Sequence, residues 1–196
     1  LAQGARDFVA QRIETATFSD VSIRTRIDSA ARAEGPLRNE ELAIGFNASD
    51  ARVFFAPGMK PLDGVSGRGL LEGNAFRFEA RDARIGGVRI DDGVVDIPVL
   101  LPKGEMARFS FRADGDASEM LAILDDEPLS LLKESGLKPA QFSGRAVAEI
   151  EIQRPNLRIA PPTSYRYSGR ATFASLGVEN VFNDLSLERG AGALTL

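Results

Sequence analysis

The residues best suited to chemistry in this chain are its acidic runs, Asp91-Asp92 and Asp125-Asp126-Glu127. Adjacent carboxylates offer hard oxygen donors to a cation, but neither run has the spacing of an EF-hand loop. Both also suit solvated turns or helix ends. The stretch Gly64-Val65-Ser66-Gly67-Arg68-Gly69 has the glycine content of a phosphate cradle without the order of a Walker loop. Turn or strand packing is the simpler reading. Ser66-Gly67 and Ser143-Gly144 lack the G-x-S-x-G elbow that exposes a nucleophile. The 196 residues include no histidine and no cysteine. Histidine triads, thiolate zinc sites and disulfide frameworks are therefore excluded. A hydrolase built from carboxylates alone needs two acids across a cleft, and spacing along the chain does not define such a pair. The expectation is no enzymatic activity, no cofactor and no metal. Asn47-Ala48-Ser49 fits a glycosylation acceptor, with a hydrogen-bonding turn the simpler reading.

Lys plus Arg is 24 and Asp plus Glu is 28, a formal charge of -4. That balance argues against a nucleic-acid surface, so no nucleic-acid partner is expected. Hydrophobic residues make up 43% and charged residues 27%, as in a folded chain. No run approaches the roughly 20 apolar residues of a membrane span. The chain begins Leu1-Ala2-Gln3, without a signal-peptide pattern, and ends in the strand-like Leu194-Thr195-Leu196. The expectation is that residues 1–196 are a single segment of a longer protein.

The elements that must position any site are mostly strands. A short helix is predicted at the start, from Ala5, Phe8, Val9 and Ile13, ending before Thr15. From Asp20, Val21, Ile23, Thr25 and Ile27 alternate with polar residues, as in a half-buried strand. Further alternation runs through Leu42–Ala48, Leu70–Ala80, Ala107–Ala113, Phe142–Gln153 and Tyr165–Phe173. Gly73-Asn74, Gly86-Gly87 and Asp91-Asp92-Gly93 read as turns separating short strands of a meander. Asp116 or Ser118 is a candidate cap for a helix carrying Met120, Leu121 and Leu124. A second helical patch follows Pro128, so a helical insert is expected over about 116–135. Residues 114–134 hold seven acids and one lysine. The fold class is mainly β, with a short N-terminal helix and a short helical insert.

Two rows invite a binding role. Arg24, Arg26, Arg108, Arg112, Arg166 and Arg170 lie on polar strand faces, where they can meet phosphate headgroups or pair with neighbouring glutamates. Phe76, Phe78, Phe109, Phe111, Tyr165, Tyr167 and Phe173 lie on apolar strand faces, as do Ile150 and Ile152. In a closed sandwich these side chains are core. In an open sheet they line a groove for acyl chains, where each methylene taken from water contributes about 0.8 kcal/mol. Alternation alone serves both cases.

The order of these pieces resembles the AsmA-like bacterial envelope proteins, in particular the YhdP-like group with its DUF3971 region. The resemblance is carried by Arg6-Asp7-Phe8-Val9, Phe18 through Ile23, Leu62 through Gly69 and Asn74 through Phe78. It continues through Gly87–Ile90, Val95–Leu100 and Pro128–Leu137 into Phe142-Ser143-Gly144. It covers most of residues 5–155 as a diffuse pattern of glycines and strand faces. The resemblance implies an elongated, curved antiparallel sheet with a hydrophobic groove. It implies a periplasmic part of an inner-membrane-anchored protein, with phospholipid moving between inner and outer membrane. The acyl chains would meet Phe76, Phe78, Phe109, Phe111, Ile150, Ile152, Tyr165 and Tyr167. The alternative is a structural or scaffolding domain of the envelope with a closed core.

Overall fold

The structure is a computed structural model and describes residues 11–26, 37–55, 58–126, 132, 136–157, 159–182 and 185–195. Nine strands follow one another: β1 (Ile13–Thr25), β2 (Leu42–Val53), β3 (Leu62–Glu72), β4 (Ala75–Ile85) and β5 (Val88–Ile97). After them come β6 (Met106–Asp116), β7 (Phe142–Pro155), β8 (Arg166–Phe182) and β9 (Leu185–Thr195). They form one sheet in sequence order, and every neighbouring pair is antiparallel. The sheet is a meander that does not close, because β1 and β9 are its two edges. One helix, α1 (Ala117–Asp125), follows β6 directly, and a 3-10 turn (Pro139–Gln141) leads into β7.

Tight turns at Gly73 and Gly86 join β3 to β4 and β4 to β5, as the sequence predicts. Elsewhere the strands are longer than alternation alone suggests. β1 starts at Ile13 rather than Asp20. Asp91-Asp92-Gly93 lies within β5, where the register slips between Asp91 and Val94. The Gly64–Gly69 stretch lies within β3, so it is strand packing and not a cradle. Asn47 is mid-strand in β2, and its side-chain amide donates to Asp20 Oδ2 at 2.7 Å. Asp116 holds the N-cap position of α1 without a side-chain capping bond. Of the predicted N-terminal helix, Gln11 and Arg12 are helical, Ile13 and Glu14 belong instead to β1, which pairs with β2, and the rest lies outside the described residues. The second helical patch also lies outside them, apart from Leu132, Gly136 and Leu137.

The register slips are β-bulges with a structural purpose. Asp20, Asp50 and Asp92 have φ near +50°, and Ser175, Gly64 and Gly144 have φ of 54°, 63° and 99°. Register slips fall beside these residues. Each bulge inserts one residue, bends its strand and adds right-handed twist. It also corrects the side-chain parity. Phe18 and Ile23 differ in parity, yet they pair with Ala48 and Ile44 on one face because a slip intervenes. A sheet with these insertions coils while keeping its apolar set on one side.

Candidate functional site

Register places apolar residues in rows that run across the sheet on one face. One row is Phe46, Gly69, Phe78, Val95, Phe109, Ile152 and Tyr167. Beside it, Phe111 stands opposite Ile150, which stands opposite Gly169. A third row is Ala83, Ile90, Ala113, Ala148, Ala171 and Leu194. Towards the other end run Ile23, Ile44, Leu71, Phe76 and Ile97.

Helix α1 covers one end of this face. Ala117, Met120 and Ile123 pack with Ile85, Val88, Ala113, Ala146 and Ala148, with Phe142 and Phe173 at the margin. Space beneath it is tight: a Cβ on Gly115 would stand 3.0 Å from Val88 Cγ2. A smaller cluster, Ala51, Val65 and Ala83, packs along the same face with Phe78 beside it. Away from α1 no second layer covers the face among the described residues. The accessible surface, 12,720 Å², exceeds the roughly 9,000 Å² of a compact globule of this mass. Phe18 is 47% exposed and Ile23 68%.

All eight residues singled out from the sequence lie on this side of the sheet. Phe78, Phe109, Ile152 and Tyr167 share one row, with Phe111 and Ile150 in the next. Phe76 belongs to the row nearer the opposite end, and Tyr165 immediately precedes β8. Phe76, Phe109 and Ile150 are half-buried, not sealed in an interior. Tyr167 is 45% exposed, and its phenol is pushed above the ordinary tyrosine value. Burial is the main cause, neighbouring Tyr165 adds to it, and Arg154 opposes it.

Two contributors were missed. Phe46 meets Phe18 edge-on, with centroids 5.5 Å apart, and lies 6.4 Å from Phe78. Its ring crosses Gly69, where any Cβ would strike it, so the glycine opposite an aromatic was the usable signal. The second is Arg154, whose register partner is Ala107 and whose guanidinium lies 5.4 Å from the Tyr165 ring centroid. Its position two residues after Ile152 carries it onto the apolar side.

The opposite face is ion-paired. Arg112 and Arg89 both reach Asp91, at 3.5 and 3.1 Å, and Arg108 reaches Glu151 at 3.8 Å. Asp114 lies between Arg89 at 3.1 Å and Arg145 at 2.8 Å. A shallow depression of about 370 Å³ is lined by Ser110, Arg112, Glu149, Glu151, Ser168 and Arg170, with Phe111, Ile150 and Gly169 between them. The arginine row therefore includes pairs with neighbouring acids, the second of its two sequence readings. Asp125 Oδ1 accepts from the backbone N–H of Leu132 at 3.0 Å. No group of three acids converges among the described residues.

The architecture defines a class: an open antiparallel meander with one apolar and one ion-paired face. A family model described as YhdP protein matches residues 1–196, and the chain belongs to the YhdP family. It is thus an envelope protein of the AsmA type. No curated protein and no solved structure matches it. No helix among the described residues is long and apolar enough to cross a membrane.

Proposed function

We propose that this chain is a non-enzymatic phospholipid carrier, a periplasmic segment along which acyl chains pass between inner and outer membrane. The reading rests on one observation, the apolar rows that cross the sheet without a second layer beyond α1. Acyl chains need no convergent polar groups, only a surface from which water can be displaced. At about 0.8 kcal/mol per buried methylene, a few rows of Phe and Ile side chains suffice to hold a lipid tail. The tails lie against Phe76, Phe78, Phe109, Phe111, Ile150, Ile152, Tyr165 and Tyr167, and the headgroup stays at the rim. The step is passive: no bond forms or breaks, and direction is supplied from elsewhere. Membership of an AsmA-type envelope family is consistent with this role.

Native mass spectrometry of the purified chain is expected to detect co-purified phospholipid. Photo-crosslinkers replacing Phe78 and Phe111 are expected to capture lipid acyl chains. A folded chain that is offered lipid, yet crosslinks at neither position, overturns the carrier reading. It would leave the scaffolding alternative as the better account.

A further inference from the structure

The apolar rows end on a cation. Leu71, Phe76 and Ile97 lead across β3 to β5 at one level of the face; Ala107, the next residue beyond the Asp96–Arg108 pair on β6, stands opposite Arg154. Arg154 is half-buried. Its Nε donates to the Pro155 carbonyl at 3.3 Å, and Nη2 donates to the Leu157 carbonyl. The Tyr165 ring lies under the guanidinium, and Tyr165 stacks on Tyr167 with centroids 5.9 Å apart. We propose that Arg154, flanked by Tyr165 and Tyr167, holds the phosphate of a phospholipid whose acyl chains lie along the adjoining apolar rows. This rests on the carrier reading above and adds a headgroup position to it.

Three features carry the assignment. First, the partners of Arg154 orient it without neutralising it. Arg89, Arg108, Arg112 and Arg145 each pair with a carboxylate on the polar face, whereas among the described residues Arg154 meets carbonyls and a ring. Second, a guanidinium has five N–H donors, and Nη1 takes no part in these contacts. An oriented, partly desolvated fork of this kind matches two phosphate oxygens. Third, the chain has two tyrosines, and both stand here. A tyrosine suits a boundary where an apolar body meets a polar headgroup. A free phosphate would use the fork alone. A phospholipid uses the fork and the neighbouring rows together.

The test uses the full chain and two lipids with identical tails, dioleoylphosphatidylglycerol and dioleoylglycerol, offered in micelles of an uncharged detergent. The unaltered chain is expected to bind the phosphatidylglycerol about tenfold more tightly. Arg154→Gln is expected to remove that preference, and Arg154→Lys to retain part of it. Excess inorganic phosphate is expected not to displace the lipid. Equal binding of the two lipids, or a preference that survives Arg154→Gln, overturns the headgroup site and leaves the carrier reading standing. Displacement by inorganic phosphate also overturns it, because the site would then be an anion site independent of lipid. Binding of neither lipid overturns both readings. Should Arg154→Gln lose its strand circular dichroism, the ratio in the unaltered chain and the Arg154→Lys result still decide.

Discussion

The end of the sheet beneath α1 and the aromatic body beside it share one face and one alternation, yet they differ in side-chain size. Under the helix stand Val88, Ala113, Gly115, Ala146 and Ala148. In the body stand Phe46, Phe78, Phe109 and Ile152, with Phe111 and Ile150 at the boundary between the two. Small residues lower the sheet surface and let a helix approach, which leaves Ala113 4% and Ala146 2% exposed. Large residues stand proud of the sheet, and Phe18 and Tyr167 remain 47% and 45% exposed despite their size. A covering helix is one source of burial in this sheet; Leu71 and Ala107, outside the cluster under α1, are also only 8% and 2% exposed. Helix α1 is therefore a cap on one end of the face, with Phe111 and Ile150 packed against the cluster beneath it.

Reversing that size difference is expected to give the largest effect. Ala146→Phe puts a ring where α1 must sit, against Gly115 on one side and Phe173 on the other. Overpacking of this kind is expected to cost about 3 kcal/mol, read as a lower urea midpoint. The converse change should be milder. Phe78→Ala removes a half-buried ring with no layer above it, so its cost is expected near 1.5 kcal/mol, below the roughly 3–5 of a sealed phenylalanine. A loss of the larger size at Phe78 would mean that its row is covered, and the contrast between the two regions would fail.

Much of this contrast was legible in the sequence, because period-2 alternation fixes a face wherever the register is regular. Phe109, Phe111, Ile150 and Ile152 were assigned to one side from spacing alone, and register puts them together. The breaks were harder. Asp92 reads as part of a turn between strands and Asp20 as the start of a strand, since acidic and turn-forming residues favour loops. In the fold they are bulges within strands. A bulge and a turn use the same residues with positive φ, and only long-range pairing separates them. For the same reason alternation left an open face and a closed core equally acceptable. The covering layer is a tertiary fact that no strand states about itself. Arg154 was missed because it follows Ile152 in a strand whose apolar positions suggested only lipid tails.

The polar side of the capped end offers a smaller effect. The Asp114 side chain is 10% exposed, between arginines that are 50% and 62% exposed. Asp114→Ala leaves Arg89 and Arg145 facing each other without the carboxylate. Because both arginines reach solvent, the expected loss is about 1 kcal/mol, shrinking with added salt. A loss as large as that of Ala146→Phe would show that ion pairing, not the cap, secures this end.

The smallest effect is a titration in the uncovered region. Burial holds the Tyr167 phenol above its ordinary value, with Tyr165 adding to the rise. Folding therefore favours the protonated phenol. That contribution to stability is complete below the ordinary tyrosine value of about 10 and is lost as pH rises through the higher folded value. In Tyr165→Phe, Tyr167 is the remaining tyrosine, and ultraviolet absorbance follows it alone. Its midpoint is expected to stay above about 10, because burial is the larger cause. Arg154→Gln in that background is expected to raise it further, since the guanidinium favours the phenolate. A midpoint at or below that of free tyrosine would place Tyr167 wholly in water, and the row that ends on it would not be the half-covered surface a lipid tail needs.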